Sequence, residues 1–346
     1  MVVTRLRLRD FRTYANADVR LGEGITVVHG RNGAGKTNLV EGLYFGCTGR
    51  SCRTSNEREL VRFDGGPVRV VVDVCDADGE HEISVGFSPG DPKKFRVDGV
   101  PIDRLLDAPE RPLVAVFLPD RLELVKGPPA LRRAHLDQVV AGLWPVRAAT
   151  RRSYAQVLAQ RNALLARVRA GTAARSALST WDAELARHGI ALRDDRARAV
   201  ALLADGFAAA AAELGLTGCA ELRYRPRSRA QTAQELAAEL AERLDSDLER
   251  GFTGHGPHRD DVGLLREGRE LRVYGSQGEQ RLGLLALLLA ERQVLAAERG
   301  RPPLLLLDDV MSELDRERRE RLVARLADGG QSVITTTDLA HVPTSD

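Results

Sequence analysis

Cysteine is scarce in this chain: four residues among 346, Cys47, Cys52, Cys75 and Cys219, none at a spacing that sets two thiolates on one metal. So few thiols in so long a chain exclude a disulfide framework and predict a reducing, cytoplasmic setting. Aromatic residues make up only 4%, which argues against a broad platform for stacking single-stranded bases. Net charge is nearly absent too. A formal +2 gives no global pull toward nucleic acid, so any DNA contact has to come from local arginine clusters. No leading segment has the apolar run and cleavage site of a signal peptide, and the apolar stretch 282–290 is too short to span a bilayer. No membrane partner is therefore expected. What the chain does have is a 43% hydrophobic content, enough at this length for one large folded domain or two modest ones.

Patterning divides it into three stretches. Thr4 to Arg9 alternates apolar and charged residues like a half-solvated strand, and Ile25 to His29 is a second strand that runs straight into glycines. Lys36 to Gly46 predicts a helix, and the runs Val68 to Val74 and Glu82 to Phe87, parted by Asp78-Gly79, predict a hairpin meander. After Gly127-Pro128-Pro129 the composition turns to alanine, leucine and arginine, with Leu236, Leu240, Leu244 and Leu248 four apart. That predicts helices interrupted by Gly171 and Gly189. Past Gly251 the apolar run Leu304 to Leu307 and the stretch Ser332 to Thr337 read as neighbouring sheet strands. The expected architecture is α/β: one discontinuous domain made from 1–126 and 251–346, with an all-helical domain, 127–250, inserted.

The chemistry begins at Gly30-Arg31-Asn32-Gly33-Ala34-Gly35-Lys36-Thr37, a complete phosphate-binding loop between a strand and a helix. Glycines let backbone amides converge on phosphate oxygens. Lys36 is expected to neutralise the β and γ phosphates of ATP and Thr37 to ligate Mg2+. Asp308-Asp309 closes the apolar strand as a Walker B pair, Asp308 supporting the metal with Thr37 and Asp309 orienting the attacking water. Aspartate is one methylene shorter than the glutamate common there, which predicts slow hydrolysis. Ser276-Gln277-Gly278-Glu279-Gln280 precedes a helix-forming run and resembles the ABC signature motif. In that superfamily the motif closes on the γ phosphate held by the opposite subunit, so two chains would sandwich two nucleotides. Arg12 and Arg31, beside the loop, are assigned to phosphate or ribose. The turn Phe117-Leu118-Pro119-Asp120 is the candidate lid element, and Ser312 to Asp315 stands at the place of a subunit-crossing loop.

The match is closer than a superfamily. Leu8 to Tyr14, the loop followed by Asn38, Phe117 to Gly127 leading into Arg132-Arg133, Gly256-Pro257-His258-Arg259-Asp260-Asp261, Ser276 to Gln280 and the Walker B run through Asp315 together resemble the bacterial RecF family of DNA replication and repair proteins over nearly the whole chain. The resemblance implies an ABC/SMC-type P-loop ATPase head and a weak DNA-stimulated ATPase that dimerises on ATP. It also implies action on duplex DNA beside single-stranded gaps, with RecR and RecO, in RecA loading, replication restart and SOS induction. A histidine expected after the last core strand in the wider ABC pattern is replaced by Thr335-Thr336-Thr337. Thr336, or else Thr337, is the candidate for a hydrogen bond to the γ phosphate.

The insertion holds Arg132, Arg133, Arg147, Arg151, Arg152, Arg161, Arg167 and Arg169, with few acids before residue 182. Arg132, Arg133, Arg151 and Arg152 are the candidate DNA contacts, reading backbone and not bases. Tyr154 is the one aromatic embedded in that cluster. Beyond the insertion, His258 and Arg259 either complete a turn, with Arg259 paired to Asp260 or Asp261, or couple nucleotide, dimer partner and DNA. Two other classes fit parts of the pattern. A transport-type ABC subunit is disfavoured by the helical insertion and the missing histidine. The head of an SMC-like nuclease complex would need a longer coiled coil than the insertion allows.

Overall fold

The computed structural model describes residues 1–118 and 122–343. The described residues fall into two compact units: Met1–Leu122 with Glu213–Gly215 and Leu288–Asp346, and Glu123–Ala212 with Leu216–Leu287. The second boundary lies inside the helix Gln277–Arg299 and not at 251. Residues 251–287 therefore share a unit with the helices of the middle segment.

In the first unit the alternating N-terminus becomes the strand Val2–Phe11, with Val3, Leu6, Leu8 and Phe11 buried. It pairs antiparallel with Tyr14–Arg20 and Val68–Cys75, and Glu80–Phe87, Lys94–Val97 and Val100–Ile102 complete six strands. A second, parallel sheet runs in the order Ile25–His29, Ser332–Thr336, Leu304–Leu307, Val114–Phe117. Leu304–Leu307 is buried at every position, as a parallel strand covered on both faces must be.

The helix Lys36–Thr48 packs against strands of both sheets and shares one hydrophobic core with them. Gly46 does not end it. The helix runs on to Thr48 and stops at Gly49, whose left-handed φ of 69° an ordinary residue would resist. Gly46 lets the helix lie close on the sheet, since a Cβ there would come within 2.4 Å of Val72 Cγ2 and 2.9 Å of Val70 Cγ1. Both neighbours are β-branched and buried, so neither has room to yield. Gly46→Ala is expected to lower the thermal midpoint, because overpacking of about 1–3 kcal/mol outweighs a helix-propensity gain of about 1 kcal/mol. A midpoint equal to or above the parent's would show that the helix lies less tightly than described.

The second unit contains the helices Pro129–Leu143, Ala148–Arg169, Leu178–Glu213 up to Ala212, Ala233–Glu242 and Leu244–Arg250. It is not wholly helical. Ala220–Arg225 is a strand paired antiparallel with Asp261–Arg266, and Arg269–Glu270 adds a third. Gly171 ends its helix as expected, but Gly189 lies within the long one, where a Cβ would sit 3.1 Å from Leu236 and 3.3 Å from Tyr154. Among the described residues no helix is long and apolar enough to cross a membrane.

Candidate nucleotide site

The phosphate loop leaves the parallel sheet between Ile25–His29 and the helix Lys36–Thr48. Gly33 and Gly35 take φ of 82° and 97°, where a side chain would be strained. The Lys36 ammonium donates to the carbonyls of Gly30 and Arg31, at 2.7 and 3.1 Å, closing the loop on itself. Tyr14 donates to Gly35 O at 3.1 Å and steadies the loop's exit. Arg31, Asn32, Gly33 and Ala34 are exposed.

Opposite the loop lies the Walker B pair. The Thr37 hydroxyl donates to Asp308 Oδ2 at 2.8 Å, while Oδ1 accepts from Thr335 at 2.7 Å. Thr335 Oγ1 in turn accepts the Asp309 amide at 2.9 Å. Asp308 is only 4% exposed, so both oxygens need these partners. Asp309 adopts a left-handed backbone, φ 48° and ψ 27°, and its buried Oδ1 has no hydrogen-bond partner among the described residues. An unpaired buried carboxylate oxygen beside the phosphate loop's Thr37–Asp308 contact is poised for a ligand.

The Thr37 hydroxyl and the Asp308 carboxylate are hard oxygen donors and fit magnesium. Among the described residues no group of three His, Cys, Asp or Glu gathers to hold a metal. These two side chains would therefore hold the ion together with phosphate and water oxygens.

Several expected contacts are engaged elsewhere. The Arg12 guanidinium forms a two-pronged pair, 2.8 Å on each arm, with Glu41. Glu41 is fully buried, and a buried carboxylate claims the nearest arginine. Asn38 donates to Thr13 Oγ1 at 3.0 Å and accepts from Arg53 at 3.1 Å. Thr336 is buried with its hydroxyl donated to Asp338 O at 2.9 Å. Thr335, on the other face of that strand, is the threonine that meets Asp308. Strand alternation separates the two faces, but only the pairing of Thr335 with Val28 fixes which is which. In the lid candidate, Phe117 and Leu118 are buried, and Pro119 and Asp120 lie outside the described residues.

In the second unit Ser276, Gln277 and Gly278 are exposed at the start of Gln277–Arg299. Ser276 and Glu279 cap the helix reciprocally, with Ser276 N donating to Glu279 Oε2 at 2.8 Å and Glu279 N to Ser276 Oγ at 3.3 Å. A buried Gln280 ties the turn down by donating to Leu271 O and Gly275 O, both at 2.9 Å.

The segment Gly256 to Asp261 is a structural knot. Asp261 pairs with Arg132 at 2.7 Å, Asp260 accepts from Tyr224, and Arg259 lies over Phe252, 4.8 Å from the ring centre. Arg259 therefore pairs with neither aspartate. Arg132, 4% exposed, cannot reach DNA from there, and Arg133 is partly buried with a donor on Asp260 O at 2.8 Å. Arg161 is wholly buried against Asp182 and Asp247. Arg151 is half exposed although it touches Asp137 at 2.9 Å, and Arg152 is exposed.

Tyr154 is buried, its hydroxyl 2.7 Å from His258 Nδ1, and His258 Nε2 lies 2.8 Å from Thr253 O. A carbonyl only accepts, so Nε2 carries the proton and Nδ1 accepts from the tyrosine. Burial pushes the His258 pKa from 6.5 down to about 4. A depressed histidine stabilises the fold fully above its unfolded pKa, and that contribution is lost as pH falls from 6.5 toward 4. The loss is on the order of 3 kcal/mol. Thermal midpoints measured across this window should fall more steeply for the parent than for His258→Gln, and parallel curves would refute the assignment. Asp260, raised by its burial, titrates in both proteins and cancels in the comparison.

A family model described as an AAA domain matches residues 5–103. The chain is 40% identical to the DNA replication and repair protein RecF of Anaeromyxobacter sp. (strain Fw109-5), over 98% of this chain and 93% of the relative. It is 39% identical to the RecF of Myxococcus xanthus, over 98% and 91%. Among solved structures it is similar to the recombination mediator protein RecF with ATP in the RecFOR pathway, with TM-score 0.90, 30% identity and 99% and 93% of the two chains covered. An Smc head bound to the C-winged helix domain of ScpA superposes with TM-score 0.59 at 16% identity, over 99% and 92%, a likeness of fold alone. The fold is that of an ABC/SMC-type ATPase head. Identity of 40% sustained over 98% of the chain goes well beyond a shared architecture, and the chain belongs to the RecF family.

Proposed function

We propose that the protein is an ATP-dependent DNA-binding protein of recombinational repair and replication restart, a weak, DNA-stimulated ATPase that uses nucleotide as a switch. The observation that carries this reading is the 2.8 Å contact joining Thr37 of the phosphate loop to Asp308 of Walker B. Lys36 neutralises the terminal phosphates of ATP, Thr37 and Asp308 hold Mg2+, and Asp309 orients water. Ser276, Gln277 and Gly278 of a second copy complete the site, so that ATP closes a homodimer on duplex DNA beside a single-stranded gap. Both ends of the chain serve the nucleotide. The insertion 127–250 serves DNA and the dimer, with Arg151 and Arg152 as its available cations. RecR and RecO are the partners, RecA loading and SOS induction the outcome, and the cytoplasm the setting.

Support comes from the family membership, from the naming of its relatives as replication and repair proteins, and from the exposure of a capped, glycine-bearing helix start at Ser276. The test is sedimentation of the full chain with and without Mg2+-ATP, beside anisotropy of a labelled gapped duplex. ATP should drive both dimerisation and tighter DNA binding. A chain that stays monomeric, with a DNA affinity indifferent to ATP, sinks the clamp.

A further inference from the structure

The outer face of the antiparallel sheet carries cations that the nucleotide site does not use. Arg9 stands opposite Arg69, Arg69 opposite Gly86 and Gly86 opposite Lys94, one line across four strands, with Arg96 opposite Ser84 on the same face. These residues line a hollow of about 680 Å³. Its floor is open at Gly86, where the nearest atoms to a Cβ would be those of Lys94, 3.8 Å away.

Like charges set directly opposite each other destabilise a sheet, and elsewhere on this face, where Arg5 also stands opposite Arg20, opposite charges compensate. There Arg5 is paired with Asp18, and Arg7 with Asp73 and Glu82. Asp10 and Asp91 also line the hollow, but Asp10 is held by Arg62 at 3.1 Å and lies 3.9 Å from Arg9. Among the described residues Arg69, Lys94 and Arg96 have no ion pair. Three unneutralised cations, on the strands Val68–Cys75 and Lys94–Val97, fit an extended anion better than a single ion.

We propose that this face holds a stretch of nucleic-acid phosphate backbone. The choice among polyanions comes from the turn that rims the hollow. Arg62 is bound to Asp10 and Gly66 lines the hollow, and between them Phe63 is 86% exposed. An exposed ring on the turn that leads into the hollow suits a sugar or an unpaired base next to its phosphates. The inference rests on the DNA-binding reading above and adds a surface outside the insertion, in the unit that holds the phosphate loop.

The experiment is titration of a labelled gapped duplex with the full chain at several salt concentrations, for the parent and for Arg69→Glu combined with Arg96→Glu. The variant should bind at least tenfold more weakly, with a salt slope smaller by about 2, as expected for two lost phosphate contacts. Binding of a fluorescent ATP analogue should not change, which also reports folding. If the charge reversal does not fold, Arg69→Gln with Arg96→Gln reads the same slope. A parent that binds DNA, with variants matching it in affinity and slope, overturns the surface alone. A parent that does not bind DNA overturns the functional reading with it. Variants that lose only their adsorption to phosphatidylserine vesicles overturn the nucleic-acid assignment in favour of a membrane.

Discussion

Lys36→Met should abolish ATP-driven dimerisation and, with it, the ATP-dependent part of gapped-DNA binding, while leaving the fold intact. The ammonium of Lys36 bonds two loop carbonyls, those of Gly30 and Arg31, and lies at the mouth of the helix Lys36–Thr48. On the proposed reading, nucleotide binding exchanges those carbonyls for phosphate oxygens. Charge-assisted bonds contribute about 1.5–3 kcal/mol each, so losing two of them weakens ATP binding by about a hundredfold or more. The carbonyls left behind are near solvent and can be hydrated, so the thermal midpoint should move little. ATP affinity by calorimetry and dimerisation by sedimentation check the expectation together. A Lys36→Met chain that dimerises on ATP like its parent would remove this lysine from the mechanism.

Ser276→Arg should produce a different failure. Ser276 is exposed, and its hydrogen-bond partner is Glu279. Loss of the cap costs about 1 kcal/mol, so the chain stays folded. It should still bind one ATP with near-parental affinity. Dimerisation and hydrolysis should be lost, because the bulky cation meets the partner's nucleotide. Mixing the two variants separates a site shared between chains from one contained in a single chain. A mixed dimer keeps one intact pairing of Lys36 with Ser276, so about a quarter of parental ATPase should return if the variants associate at random. No recovery on mixing, or unimpaired dimers of Ser276→Arg alone, would refute the sandwich.

The nucleotide site was largely legible because its parts are local. A glycine-rich loop between a strand and a helix, and an apolar run ending in two aspartates, each fit within a dozen residues. Less legible was everything settled by a partner distant in sequence. Arg12 is engaged by Glu41, 29 positions on, and no local pattern marks that carboxylate as buried. Three adjacent threonines look alike until strand pairing turns Thr335 toward Asp308 and Thr336 away. The arginines of the insertion could be counted, but not sorted into buried ones such as Arg132 and Arg161 and exposed ones such as Arg152. Their acids, Asp261, Asp182 and Asp247, lie far along the chain. Ala220–Arg225 was hidden for the same reason, since its alternation is short and its partner strand begins only at Asp261.

The left-handed backbone at Asp309 bears on why the second carboxylate of Walker B is the shorter one. Aspartate is among the few residues other than glycine that settle readily at positive φ, and Asp309 stands at φ 48°. Glutamate would regain the missing methylene of reach but would have to be carried on a conformation that costs it about 1–2 kcal/mol. Reach and backbone are thus chosen together at this position. If Asp309 orients the attacking water as proposed, a quicker hydrolytic clock calls for a longer acid and, at the same time, a rebuilt turn from Asp309 into Val310–Glu313.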